Sequence, residues 1–273
     1  MRTLILGRNN LVNYTKSRFR YTFVPNIDIK NMSVAVSSII IPYSWQTVNS
    51  TYNNKSFQII YNSITYTLTL PDGAYSVADI NAYIQFWCIS NSLLYVVSAS
   101  GQYIYFIELI DNPTTYSYEI RSYPTVLPVG ATNTAGFTLT GFCPQFVVDT
   151  NNFGSIIGMN AGTYPSSSTI NTNFTKSSDF APSPSPINQL VLNCSLVNNR
   201  DLQTASNNVI WSFTPTNTPY GENIQINPPE YAWIKCVDSS VSTIDVWITD
   251  QDNNAVILQD PNSMIMLLLK EEK

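Results

Sequence analysis

Apolar and polar residues alternate with a period of two along much of this chain, most clearly near its end. Ile244, Val246 and Ile248 alternate with Asp245, Trp247 and Thr249, the pattern of a half-buried strand. Asp250, Gln251, Asp252, Asn253 and Asn254 follow. Such residues bond their own main chain and tolerate left-handed backbone, so a turn is expected, with residues 255–258 returning as the second arm of a hairpin. A second turn falls at Asp260-Pro261-Asn262-Ser263, and residues 264–269 then run as unbroken apolar sequence. That run predicts a last strand covered on both faces. Its neighbours must come from residues 19–41, so the sheet closes late, by long-range antiparallel pairing.

The same pattern predicts strands over 19–23 and 33–41, and a hairpin of 57–61 with 64–70 turned at Asn62-Ser63. Beyond Pro186 strands are expected over 189–197, 209–213, 231–237 and 243–249. The period changes after Pro71-Asp72-Gly73. Ser76 and Asp79 read as a capping box, Tyr75 is placed to staple onto Ile80, and Ile80, Tyr83, Ile84 and Trp87 share one helical face. Strands over 93–97, 103–110 and 116–123 follow, then a short helix over 152–157 ended by Gly158. Residues 164–186, rich in Ser, Thr, Asn and Pro, read as loop. The expectation is an all-β sandwich of about eight strands with a small α+β domain inserted between its halves. The parts are residues 1–18 as a basic N-terminal arm, 19–70 as the first half, 71–186 as the insertion and its loop, and 187–273 as the second half.

Composition sharpens this. Charged residues make up 11% of the 273 positions, less than half the usual share, while the chain holds 17 Tyr and 16 Pro. Uncharged polar side chains and phenols are far cheaper to desolvate than charges, so such a surface suits contact with other subunits. An Asn-rich codon bias explains part of the excess equally well. The net charge of -5 argues against a nucleic-acid-binding body. Arg2, Arg8, Lys16, Arg18, Arg20 and Lys30 nevertheless stand against Asp28 alone in the first 30 positions. A basic arm of that kind reaches nucleic acid, a membrane or an acidic neighbour; a solvated terminus is the plainer alternative.

Catalytic chemistry is thin. The chain has no histidine, which removes Ser-His and Cys-His nucleophiles and most zinc, copper and iron sites. Glycine-rich phosphate loops are missing, and no cofactor is expected. Cys88, Cys143, Cys194 and Cys236 are too far apart for a metal or redox pair and read as buried thiols. Glu108 with Glu119, and the cluster Asp245, Asp250, Asp252 and Asp260, are the carboxylates a glycosidase could draw on, but nothing selects a pair: the glutamates fit solvent-facing strand positions and the aspartates hairpin turns. Asp250, Asp252 and Asn254 begin like a calcium loop, but Ala255 and Pro261 stand where glycine and glutamate are needed. Tyr103 with Tyr105, and Tyr116 with Tyr118, are each spaced to share a strand face. They read as a carbohydrate-binding surface or as packing of the insertion on its helix.

Three segments carry a family resemblance: IIIPYSWQTVNSTYNN at 39–54, YTLTLPDGAYSVADINAYIQ at 66–85, and ITDQDNNAVILQDPNSMIMLLLK at 248–270. Together they resemble the penton-type minor capsid proteins of virophages and Polinton-like viruses. Residues 124–186 carry no matching motif. The resemblance implies an eight-stranded single jelly roll with an insertion domain, forming a homopentamer at the five-fold vertices of an icosahedral virion. The surrounding shell would be a double-jelly-roll major capsid protein. It further implies a subunit contact near Tyr43 and Trp45, and an inward-facing arm bearing Arg2, Arg8 and Lys16 toward genome or internal proteins. The insertion would then be available to a host receptor. The alternative is a virion attachment or lectin-like glycan-binding module.

Overall fold

The computed structural model describes residues 1–12, 16–134, 136–198, 208–215 and 218–272. Strand accounts for 42% of the chain and helix for 9%, so sheets carry the fold. In chain order the first strands are β1 (Arg2–Leu6), β2 (Arg18–Asp28) and β3 (Met32–Pro42). Next come β4 (Ser56–Tyr61), β5 (Ile64–Thr69), helix α1 (Val77–Ser90), β6 (Tyr95–Val97), β7 (Tyr103–Ile104), β8 (Ile107–Asn112) and β9 (Ser117–Ser122). They are followed by β10 (Ala131–Thr132), β11 (Gln145–Val148), α2 (Phe153–Ile157), β12 (Gly162–Tyr164) and β13 (Phe174–Ser177). The chain finishes with β14 (Leu190–Cys194), β15 (Val209–Phe213), β16 (Asn223–Ile226), β17 (Ile234–Lys235), β18 (Ser240–Asp250) and β19 (Met264–Glu271). Two compact units result: one from Met1–Trp45 with Ile187–Lys273, the other from Gln46–Pro186.

In the first unit one sheet runs β1-β19-β3-β16, with β17 beside the start of β3, and the other runs β15-β14-β18-β2. Every pairing is antiparallel. Leu4, Leu6, Ile39, Ile41, Ile265, Leu267 and Leu269 of the first sheet share one buried core with Phe19, Leu190, Leu192, Ile244, Val246 and Ile248 of the second. Each such side chain taken fully out of water contributes about 1.5–3 kcal/mol, which is why the alternation dictates which face turns inward. The last strand lies between β1 and β3, pairing Leu267 with Leu4 on one side and Val36 on the other. Ile265, Leu267 and Leu269 are fully buried, while Met264 and Met266 on the opposite face are half-exposed. The expected cover on both faces is therefore complete on one face and partial on the other.

Two expectations for this unit are corrected. The N-terminal segment is not an extended arm, because Arg2–Leu6 forms β1 at the edge of the first sheet and buries Leu4 and Leu6. A five-residue strand with two buried leucines is a weak signal beside a cluster of arginines. Residues 13–15 of that segment lie outside the described residues. The second correction concerns the turn after β18. Residues 255–258 do not return as a strand: Ala255 makes a single bridge to Thr249, and the chain crosses to the other sheet with Val256 and Leu258 buried on the way. Turn chemistry marks where a strand ends, not which sheet receives the next one.

The second unit contains the sheets β12-β11-β4-β5, β13-β9-β8 and β10-β6-β7. Helix α1 begins at a capping box: the Ser76 amide donates to Asp79 Oδ2 (2.8 Å) and the Asp79 amide to Ser76 Oγ (3.2 Å). Val77, Ile80, Ile84 and Cys88 are its buried face, and the Leu109 amide of β8 donates to Asn81 Oδ1 at 3.0 Å. Phe57 stacks on Phe146 (4.9 Å) and on Phe153 (4.7 Å) in the core. Residues 46–70, expected in the sandwich, belong here instead, because β4 pairs with β11 and the core takes Phe57, Ile59 and Tyr61. A hairpin with one apolar face announces that it needs a core and says nothing about which. Residues 174–177, read as loop, form β13 along β9.

Candidate interaction surfaces

The segment after β3 keeps the strand's alternation, so Tyr43 and Trp45 follow Ile39 and Ile41 onto the inward face. Trp45 is 1% exposed and sits in the core, and its indole nitrogen has no hydrogen-bond partner among the described residues. Expected at a subunit contact, Trp45 is corrected to a core residue, and the period of two is the signal that identifies it. Tyr43 is half-buried, 4.3 Å from the Trp45 ring and 5.6 Å edge-on from Tyr220, which is exposed. The Tyr43 amide donates to the Glu222 carbonyl (2.8 Å), and the Gly221 amide to the Tyr43 carbonyl (2.8 Å). Tyr220, missed in the sequence, supplies the solvent side of this aromatic pair.

The basic residues separate into two groups. Arg2 opens β1 and Arg8 lies in a 3-10 turn, Arg8–Asn10; both are exposed. Lys16 is half-buried and donates to the Gln259 carbonyl. Arg18 and Arg20 instead converge from β2 on Asp245 of β18. Arg20 grips both carboxylate oxygens (2.6 and 2.8 Å) and Arg18 adds a third bond at 2.7 Å. These bonds, Arg20's first, hold the Asp245 carboxyl down at about 2, and the bond to Asp245 raises Arg20 in turn. Arg18 also lies 5.5 Å from the Trp247 ring centre.

The remaining acids do local structural work. Asp250 Oδ1 accepts from the amides of Asp252 (2.9 Å) and Asn254 (2.8 Å), which fixes the turn and occupies the oxygen a cation would need. Glu119, expected to face solvent, is 6% exposed. It is held by Asn112 Nδ2 (2.6 Å) and Arg121 (2.8 Å), which keep it ionised below the usual range, Asn112 contributing most. Glu108 accepts from the Tyr123 hydroxyl at 3.1 Å. With Glu119 committed to Arg121, the two carboxyls are not a matched acid and base. All four cysteines are unpaired and buried. Burial pushes Cys88 and Cys194 up to about 12 and Cys236 to about 11, far from a reactive thiolate. No cluster of three or more His, Cys, Asp or Glu suited to a metal exists among the described residues.

The second unit holds an aromatic cleft of 510 Å³. Tyr95 of β6, Tyr103 of β7, Tyr105, Glu108 of β8 and Tyr123 line it. The β6–β7 ladder pairs Val96 with Tyr103, and the Tyr123 amide donates to the Phe106 carbonyl (2.9 Å), so the walls are tied to sheet. Tyr103 and Tyr105 thus share a surface, as their spacing suggests. Tyr116 and Tyr118 do not form a second one: Tyr116 is a left-handed turn residue (φ 49°), 86% exposed, and Tyr118 is half-buried in β9.

No protein-family model matches the chain, and no curated protein sequence does. Among solved structures, the chain is similar to the mavirus penton protein, at 11% identity and a TM-score of 0.49, over 99% of this chain and 98% of that one. It is also similar to a chain from the cryo-EM structure of the Sputnik virophage, at 13% identity and a TM-score of 0.39, over 98% of each.

Proposed function

We propose that this chain is a structural protein of an icosahedral viral capsid, a penton protein forming homopentamers at the five-fold vertices of the virion. The observation that carries the reading is the strand pairing of the first unit. Counting the eight longer strands among its described residues along the chain (the two-residue β17 left aside), the pairs are first with eighth, second with seventh, third with sixth and fourth with fifth. One sheet then reads 1-8-3-6 and the other 5-4-7-2. Such a set of nested pairs rolled into two sheets is the jelly-roll order, used by capsid proteins, lectins and cupins. Metal-dependent cupin chemistry relies on histidine, and the chain has none. Between the third and fourth of these strands the chain runs through the whole second unit, which we read as an insertion domain.

The segments at 39–54, 66–85 and 248–270 support the capsid choice, and so does the surface. Val24 is 92% exposed, and Ile5, Tyr220 and Tyr231 stand about half exposed on a body with few charges. Side chains of this kind gain from burial against neighbouring copies around a closed ring. Partners on this reading are further copies of the chain and a double-jelly-roll major capsid protein, with Arg2 and Arg8 offered to genome or internal proteins. The protein performs no reaction. Native mass spectrometry of the full chain, together with density at the vertices of virus particles, tests the reading. A five-copy species and a five-fold position are expected; a monomer at micromolar concentration that is absent from the vertices overturns it.

A further inference from the structure

The geometry points to the tyrosine-lined cleft of the second unit as a binding site for a neutral saccharide. Its 510 Å³ falls within the ~300–1,000 Å³ of small-molecule sites, and its lining has their usual character of aromatic walls with a few polar groups. Tyr103, Tyr105 and Tyr123 present flat apolar faces with hydroxyls at their edges. A sugar ring is amphipathic in the matching way, with C–H faces to stack on the rings and hydroxyls around its rim.

Polar groups stand where those hydroxyls need partners. Glu108 receives one bond from Tyr123, and no other hydrogen bond reaches its carboxylate among the described residues. Asn173, exposed at the edge of the cleft, adds an amide donor and acceptor. Tyr95 backs the cleft from within: it is 2% exposed, and its buried hydroxyl has no hydrogen-bond partner among the described residues, an arrangement that costs free energy.

The same lining selects against other ligands. No lysine or arginine lines the cleft, and Arg121, across the ladder from Glu108, is engaged by Glu119 (2.8 Å), so a sulfated or sialylated sugar would meet the Glu108 carboxylate with no uncommitted cation beside it. A wholly apolar ligand would strip water from Glu108 and give nothing in return. The inference concerns the second unit by itself and does not depend on the assembly proposed above.

The test is saturation-transfer NMR on the full chain with a panel of neutral gluco-, galacto- and manno-configured oligosaccharides. Sulfated and sialylated sugars and a polyproline peptide complete the panel. Tyr103→Ala removes an exposed ring and Glu108→Gln removes only a charge, so both variants are expected to keep the wild-type unfolding midpoint. A neutral saccharide should bind wild type, with affinity reduced about tenfold or more in each variant. The inference is overturned if no neutral saccharide binds at millimolar concentration, if both variants bind as wild type does, or if an anionic sugar or the peptide is the preferred ligand.

Discussion

Replacing Asp245 by asparagine isolates the carboxylate that two arginines share in the sandwich unit. Asp245 accepts three bonds from Arg18 and Arg20, and its side chain is 12% exposed. The fall from the ordinary 3.8 to about 2 corresponds to about 2.4 kcal/mol, at about 1.36 kcal/mol per pH unit. Both arginines are close to half exposed (45% and 47%), and solvent screening of their side reduces the expected contribution to about 1–2 kcal/mol. The sign follows from linkage. A carboxyl whose folded value is depressed stabilises the fold fully above its unfolded value near 4, and that stabilisation disappears as pH falls toward 2. Urea unfolding followed by tryptophan fluorescence suits the measurement, because Trp45, Trp211, Trp233 and Trp247 lie in this unit and only Trp87 in the other. Asp245→Asn should be about 1–2 kcal/mol less stable than wild type at pH 7, with the gap narrowing between pH 4 and pH 2.5 and shrinking in 1 M salt. A gap below about 0.5 kcal/mol at pH 7, or one unchanged at pH 2.5, refutes the charge-based account.

Leu267→Ala should cost about 2–5 kcal/mol in the same assay, because the residue is fully buried between β1 and β3 and its removal leaves a cavity. Gly158→Ala should destabilise the second unit by about 1–3 kcal/mol, read as a lower midpoint in calorimetry. Its φ of 72° is left-handed, and an added Cβ would press on the Phe180 carbonyl, whose own amide donates to Gly158. Ser76→Ala should cost about 0.5–2 kcal/mol and speed hydrogen exchange in the first turn of α1, where the cap bond to the Asp79 amide is lost.

Much of this fold was legible because burial imposes a period. Ile244, Val246 and Ile248 announced β18, and residues 264–269 announced β19; of its expected partners in 19–41 only β3 pairs with it, its other neighbour is β1, and residues 19–23 belong to β2 in the other sheet. The capping box and the Gly158 stop gave both ends of helical segments, since each rests on a local backbone bond or angle. Allegiance was not legible. The β4–β5 hairpin shows the same alternation in either core, and only its pairing with β11 decides the matter. Surfaces were legible in part. The spacing of Tyr103 and Tyr105 gave one wall of the cleft, but Tyr95, Glu108 and Tyr123 join it from separate strands and strand ends, through a register no local pattern encodes.

The basic residues near the start alter the assembly argument most. A count of six cations against Asp28 suggests an arm waiting for an acidic partner, yet Arg18 and Arg20 already have theirs in Asp245, contributed by a strand more than two hundred positions later. Those two cations stitch β2 to β18, where the backbone pairs Arg20 with Asp245 directly across the ladder. With them internally satisfied, Arg2 and Arg8 remain exposed along and just beyond β1. Two exposed arginines per copy make few phosphate contacts, so any contact of Arg2 and Arg8 with genome adds little to cohesion. On the capsid reading, cohesion must come instead from burying apolar and phenolic side chains such as Val24, Ile5 and Tyr220. Assembly of this chain should accordingly withstand salt better than a charge-driven assembly would and weaken on cooling, as hydrophobic association does.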